Sequence, residues 1–380
     1  MPPKLDIRYH PTGLNSNFRF ADMSFADYIE ASRHIIANGR ADLTPATQNK
    51  IIEANSPFQW LPENSPKSPS GKHKNGILLV HGLMDSPFSL RDLGQYFYAK
   101  DFLVRSILLP GHGTVPGDLT EVDAMSWHRA VSYGIEAMSM DVENIYLLGF
   151  SGGATLSLCQ AFNNAPIKGL FLFAPSVKLT ARFAWIARWL HHAGKLFPRC
   201  GWYVLKDDSN YAKYESCPYN MAYQAYRITQ DLAKLRNSST LTIPMFMVLS
   251  DDDETIDSDA AKRFFLRQPE EKNRLLIYSK KEQSCDDIGV EYRNSSYPEQ
   301  QILDFSHVCL LVPPDNPHYG KYGDYFPPPR FLGKADNRPV YAGALSKENM
   351  RSYATRRLTY NPDYDYMTRC MDDFIAKVCD

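Results

Sequence analysis

Nowhere in the 380 residues does the chain approach the run of about 20 apolar side chains that a membrane-crossing helix needs. Its first residues, MPPKLDIRYHPTGLNSNF, lack the apolar core of a secretory signal, so a cytoplasmic protein is the expectation. Charge of either sign is not in excess. Lys and Arg total 42, Asp and Glu total 43, and the formal net charge is −1. No global field draws in nucleic acid, which is not expected as a partner. Cysteine is sparse, odd in number at seven, and never arranged C-x-x-C. That pattern suits reduced thiols better than a disulfide framework or a zinc site, and neither metal nor cofactor is expected. No internal repeat is found, and nothing in the sequence sets the oligomeric state.

What is present is an ordinary globular composition, 44% hydrophobic and 22% charged. Its length allows one large α/β domain of roughly 250–300 residues with additions. Residues 1–75 read as an N-terminal extension. Within it Phe25 to Asn38 forms one amphipathic helix pattern, and a Pro-, Ser- and Lys-rich linker, PENSPKSPSGKHKN, closes it. The core opens with GILLV at Gly76. Helix patterns (Pro87–Lys100, Asp123–Met140, Gly152–Asn163) then alternate with apolar strand patterns (Phe102–Leu109, Asn144–Phe150, Ile167–Phe173). Such alternation predicts a doubly wound, mostly parallel sheet. It stops over residues 176–240, which hold helix patterns and no buried strand. It resumes at Ile243–Leu249, with a helix at Ser258–Leu266, a strand at Arg274–Tyr278 and a last helix at Tyr364–Val378. The expected organisation is an α/β core over 76–175 and 241–380, interrupted by a helical insertion.

Gly149-Phe150-Ser151-Gly152-Gly153 matches G-x-S-x-G between a buried strand pattern and a helix pattern. In that context the serine sits on a sharp turn with its hydroxyl exposed. Side chains two positions to either side would collide, and both are glycine. The helix start also brings free N–H groups to the reacting oxygen. A bland reading makes Ser151 a helix cap in a glycine-rich turn.

A serine nucleophile needs a general base, and the base needs a third group to hold its tautomer. The order that goes with this elbow is Ser, then Asp or Glu, then His. His191 and His192 fall in the insertion. His307, in DFSHVCLL after the last strand pattern, is the expected base, with His318 in NPHYG as fallback. The acid belongs just past IPMFMVL, where the chain reads Ser250-Asp251-Asp252-Asp253-Glu254. The loop must turn before a carboxylate can face back, which favours Asp253 over Asp252 and Asp251. Asp304 precedes the base and breaks the order.

Acyl transfer also needs N–H donors for the developing oxyanion. Gly152 N–H, just after the nucleophile, is one. The other comes from the turn His81-Gly82-Leu83-Met84-Asp85 after GILLV, with Leu83 preferred and Met84 next. His81 stands too early to be the base, and its ring is read as a brace for this loop.

Together VHGLMDSP (80–87), LPGHGTVPGDL (109–119) with Trp127, GFSGG (149–153), SDDDETI (250–256) and SHVCLLVPPDNPHYG (306–320) resemble the α/β-hydrolase superfamily. Within it they are most similar to the carboxylesterase, monoacylglycerol lipase and lysophospholipase group. The resemblance implies an α/β-hydrolase fold with Ser151 as nucleophile, Asp253 as acid, His307 as base, and Leu83 and Gly152 as oxyanion donors. His112 and Trp127 carry no implied catalytic role. It also implies that residues 176–240 are a cap over the active site. There Phe183, Trp185 and Trp189 are candidate pocket residues, or else pack as an ordinary helix face. The same aromatics could touch a lipid surface. The chain departs from the family in its long extension and in longer stretches at 280–300 and 313–345.

The expected activity is hydrolysis of a carboxylic ester, lipid-like in its acyl part, through an acyl-enzyme. A thioesterase, amidase or acyltransferase would use the same triad, and a catalytically silent binding protein would share the fold.

Overall fold

The computed structural model describes residues 5–63, 67–163, 165–179, 181–207, 209–281, 287–333 and 338–379, and within these the side chains of 181–185 are left out. In chain order the elements are α1 (Phe25–Gly39), α2 (Gln48–Asn55), β1 (Phe58–Trp60), β2 (His73–Val80), α3 (Arg91–Tyr98), β3 (Leu103–Ile107), α4 (Ala124–Asp141), β4 (Val142–Phe150), α5 (Gly152–Phe162) and β5 (Ile167–Phe173). There follow α6 (Ala181–Leu196), β6 (Trp202–Val204), β7 (Cys217–Pro218), α7 (Tyr219–Ser238), β8 (Met245–Ser250), α8 (Ser258–Phe265), β9 (Arg274–Ser279), β10 (Val290–Asn294), β11 (Val340–Gly343), α9 (Lys347–Ser352), β12 (Ala354–Arg357) and α10 (Tyr364–Val378). They group into two units: Met1–Ile167 with Lys178–Ser239, and Lys168–Val177 with Thr240–Asp380.

In the first unit β2 pairs in parallel with β3 on one side and β4 on the other, and β1 adds antiparallel to β3. Ile77 to Val80 are fully buried, as unbroken apolar runs in parallel strands must be. The described residues of the N-terminal extension are part of this unit, with β1 as an edge strand. Three residues carry too little periodicity to announce a strand. Helix α1 starts at Ser24, whose Oγ accepts the Asp27 N–H at 3.2 Å. It buries Phe25, Tyr28, Ser32 and Ile36, one helical face. Tyr28 and Phe25 meet Tyr133 of α4 edge-on and stacked.

The insertion 178–239 clusters with this unit. Helix α7 is bonded to the core through Asn220 Nδ2, which donates to Leu119 O and Val122 O at 2.9 Å each. Contrary to the all-helical expectation, a short antiparallel pair, β6 with β7, lies between α6 and α7.

In the second unit β5, β8, β9 and β10 pair in parallel in that order. Phe374 of α10 packs edge-on against Phe171, and Phe246 lies beside it. The residues 280–300 hold β10, a strand of half-exposed, mixed polarity that gives no apolar run. Among the described residues no helix is long and apolar enough to cross a membrane.

Candidate active site

The first unit holds the candidate nucleophile, Ser151. It sits between β4 and α5 with φ 52° and ψ −116°, a strained backbone that a serine adopts only where its surroundings impose it. The neighbouring glycines are steric necessities. A Cβ on Gly149 would stand 2.5 Å from Ala154 Cα, and one on Gly153 would stand 2.2 Å from Val80 O. The turn therefore folds back tightly on β2 and on its own helix. At the start of α5 the Gly152 N–H has no intrahelical acceptor and points with the helix dipole.

The loop after β2 lies against this turn. A Cβ on Gly82 would be 3.4 Å from Ser151 Cβ, and one on Gly152 would be 2.6 Å from Leu83 Cγ. Two buried histidines set the loop's peptide planes. Leu109 N–H donates to His81 Nε2 at 3.0 Å, which leaves the ring proton on Nδ1, 2.8 Å from Gly82 O. Carbonyl and N–H of a trans peptide point oppositely, so holding Gly82 O aims Leu83 N–H the other way. Met84 N–H donates to His112 Nε2 at 2.9 Å, and His112 Nδ1 faces Leu109 O and Pro110 O at 3.1 and 3.0 Å. Leu83 thus lies between two fixed peptide planes, while the Met84 N–H is already engaged. Trp127 Nε1 donates to Pro110 O at 2.9 Å and supports the same segment. Burial holds both rings neutral, His81 well below the ordinary histidine range and His112 down to about 4. Both must stay neutral, because each accepts a backbone N–H on Nε2.

The second unit holds the candidate acid and base. His307 Nδ1 is 2.6 Å from Asp253 Oδ2, and the Asp253 carboxylate is completely buried. Its other oxygen accepts the N–H groups of Thr255 and Ile256 at 2.7 and 3.0 Å. The carboxylate is therefore fixed before it meets the ring. Ser250 Oγ donates to Phe305 O at 2.8 Å and ties the end of β8 to the histidine's loop.

The neighbouring acids face elsewhere. Asp251 is exposed. Asp252 pairs with Lys280 at 3.3 Å, and Lys280 pairs equally with the buried Asp304. Asp304 also accepts Asn349 Nδ2 and the Ala344 N–H, and burial raises its pKa above the usual carboxylate range. His318 has its own carboxylate, Asp324, which bonds Nδ1 but is largely exposed.

Two residues beside His307 carry no signal in the sequence. Glu254 Oε2 accepts the His307 backbone N–H at 3.2 Å, and Glu254 Oε1 stands 2.9 Å from Arg357 Nε. Glu254 was hidden in an acidic run, and Arg357 lies 50 residues beyond the histidine, where no local pattern could join them. In the insertion, Trp189 is 64% exposed, which suits a surface better than an enclosed pocket. The side chains of Phe183 and Trp185 lie outside the described residues.

The family model described as serine aminopeptidase, S33, matches residues 71–282. A thermostable monoacylglycerol lipase of Bacillus sp. strain H-257 is 28% identical over 223 residues, spanning 57% of this chain and 82% of the lipase. Among solved structures, one from a study of two metagenome-derived lipolytic enzymes, LipS and LipT, aligns with 59% of this chain and 86% of its own at 16% identity and a TM-score of 0.47. A monoacylglycerol lipase of Paleococcus ferrophilus aligns with 59% and 88% at 15% identity and a TM-score of 0.46.

Proposed function

The chain belongs to the serine aminopeptidase S33 family, with its α/β-hydrolase fold, and from that premise we propose that it hydrolyses carboxylic esters through an acyl-enzyme on Ser151. The observation that carries the reading is the strained Ser151 backbone at a strand–helix turn where the positions two residues to either side, Gly149 and Gly153, have no room for a side chain. The buried Asp253–His307 pair and the order Ser, Asp, His support it.

In this mechanism His307 takes the Ser151 proton as the oxygen attacks the acyl carbon. Leu83 and Gly152 N–H groups stabilise the oxyanion, a contribution of roughly 10²–10³ in rate per donor. His307 returns the proton to the leaving alcohol, and water repeats the cycle on the acyl-enzyme. Asp253, on Nδ1, holds the imidazole in the tautomer whose Nε2 is the basic nitrogen.

A lipid-like acyl group is the preferred substrate. The lipase relative supports that choice, and so does helix α6, which exposes Ile186, Trp189 and Leu196, with Phe197 just beyond its end. Residues 176–206 contain Lys178, Arg182, Arg188, Lys195, Arg199 and Lys206 and no acid. A basic helix with exposed apolar side chains suits an anionic lipid surface. A second reading, amide or peptide hydrolysis, is favoured by the description of the family itself.

Turnover of p-nitrophenyl esters from acetate to palmitate, compared with amino-acid p-nitroanilides, separates the two. Ester turnover that rises with chain length and far exceeds anilide turnover is expected. The reverse ranking selects the amidase. No turnover, with no fluorophosphonate labelling of Ser151, leaves a non-catalytic protein.

A further inference from the structure

The 108–112 segment that holds both histidine braces is itself gripped by the N-terminal extension. Asn15 is buried, and its Nδ2 donates to His112 O at 2.6 Å. Its own carbonyl accepts the Gly111 N–H, also at 2.6 Å. Tyr28, buried in α1, accepts the Leu108 N–H at 2.9 Å and donates to Leu108 O at 3.1 Å with the same hydroxyl. The extension also reaches the loop through a second set of contacts. Asn55 Nδ2, at the end of α2, donates to Tyr211 O at 2.8 Å, and three residues on, Tyr214 N–H donates to Met84 O at 2.8 Å. The Tyr214 ring lies parallel to His112, with centroids 6.2 Å apart.

We propose that Asn15 and Tyr28 are positioning residues for the oxyanion loop, so that the N-terminal extension works as a clamp that aims the Leu83 N–H. The inference rests on the functional reading above, in which Leu83 is an oxyanion donor. The causal path is short. Asn15 and Tyr28 immobilise Leu108 to His112, and that segment fixes the two imidazoles. The imidazoles then fix Gly82 O and Met84 N–H, the groups on either side of the Leu83 donor. A donor that loses its aim weakens stabilisation of the tetrahedral intermediate while leaving ground-state binding in place. Its signature is a fall in kcat at nearly constant KM.

The test compares full-length wild type with Asn15→Ala, Tyr28→Phe and, as a control for general loosening of the extension, Ser24→Ala, which removes only the cap of α1. Two readouts are taken: kcat and KM on p-nitrophenyl butyrate, and hydrogen exchange at the Met84 amide. The expected result is a kcat about tenfold lower in Asn15→Ala and Tyr28→Phe, part of the roughly 10²–10³ that a whole donor supplies. KM should stay within about twofold, and Met84 exchange should quicken, while Ser24→Ala keeps wild-type kcat and exchange. Unchanged kcat and unchanged Met84 exchange in both clamp variants would overturn the proposal, as would an equal kcat loss in Ser24→Ala. Tyr28→Phe keeps the buried ring and supplies the answer if Asn15→Ala does not fold. A wild type that turns over no ester and is not labelled at Ser151 refutes the functional reading instead, and Met84 exchange then still decides whether the clamp exists.

Discussion

Asp253 stands in a run of four acids, and its distinction from the others is wholly one of orientation. Its carboxylate is anchored by two backbone N–H groups and faces His307, whereas Asp252 faces Lys280. Asp253→Asn should therefore lower kcat by on the order of 10³–10⁴ by destabilising the working tautomer. Asp252→Asn should leave kcat nearly unchanged, and steady-state kinetics on one soluble ester reads both. Equal losses would mean that the acidic run acts as a diffuse field rather than through one carboxylate. At the elbow, Gly153→Ala would drive a methyl against Val80 O. An overpacked site with no flexible neighbour to yield should lose about 1–3 kcal/mol, visible in a urea midpoint. Ser151, Asp253 and His307 stand out in the sequence because each proposed role has a residue type, a place relative to a strand, and an order, and the structure pairs the last two. Glu254 and Arg357 do not, because their meeting is made by tertiary folding alone.

At the scale of elements, the strands legible in the sequence are those with long buried runs. The apolar runs ILLV, LLGF and LFLF mark β2, β4 and β5, and the last helix begins and ends at the expected residues. The edges were missed. β1 is three residues long and β10 is half-exposed, and neither needs the apolar run that betrays a central strand. Helix α6 raises the opposite problem, since its apolar pattern was visible while the direction it faces was not. If its exposed side meets lipid, replacing Trp189 and Phe197 together by Ser should leave the melting temperature and soluble-ester turnover as they are. Turnover of an ester embedded in anionic vesicles should fall several-fold. Loss of stability instead would assign those side chains to packing.

The whole molecule should respond to acid through its buried imidazoles. The His112 pKa lies near 4 in the folded state against 6.5 for an unperturbed ring, because burial penalises the cation. The unfolded chain therefore binds more protons between those values. Its stabilising contribution is complete above pH 6.5 and is lost as pH falls towards 4, a loss on the order of 3 kcal/mol. His81 acts in the same direction. Urea midpoints should decline from pH 7 to pH 4.5, and a midpoint flat over that range would contradict the neutral-brace assignment. The proposed reaction depends first on Ser151 as its nucleophile. The most direct measurement is mass analysis of wild type and Ser151→Ala after reaction with a fluorophosphonate, alongside their turnover of p-nitrophenyl butyrate. One adduct on the Ser151 peptide of wild type, with neither adduct nor turnover in a folded Ser151→Ala, is predicted. Undiminished turnover in Ser151→Ala, or an adduct on another residue, would contradict it.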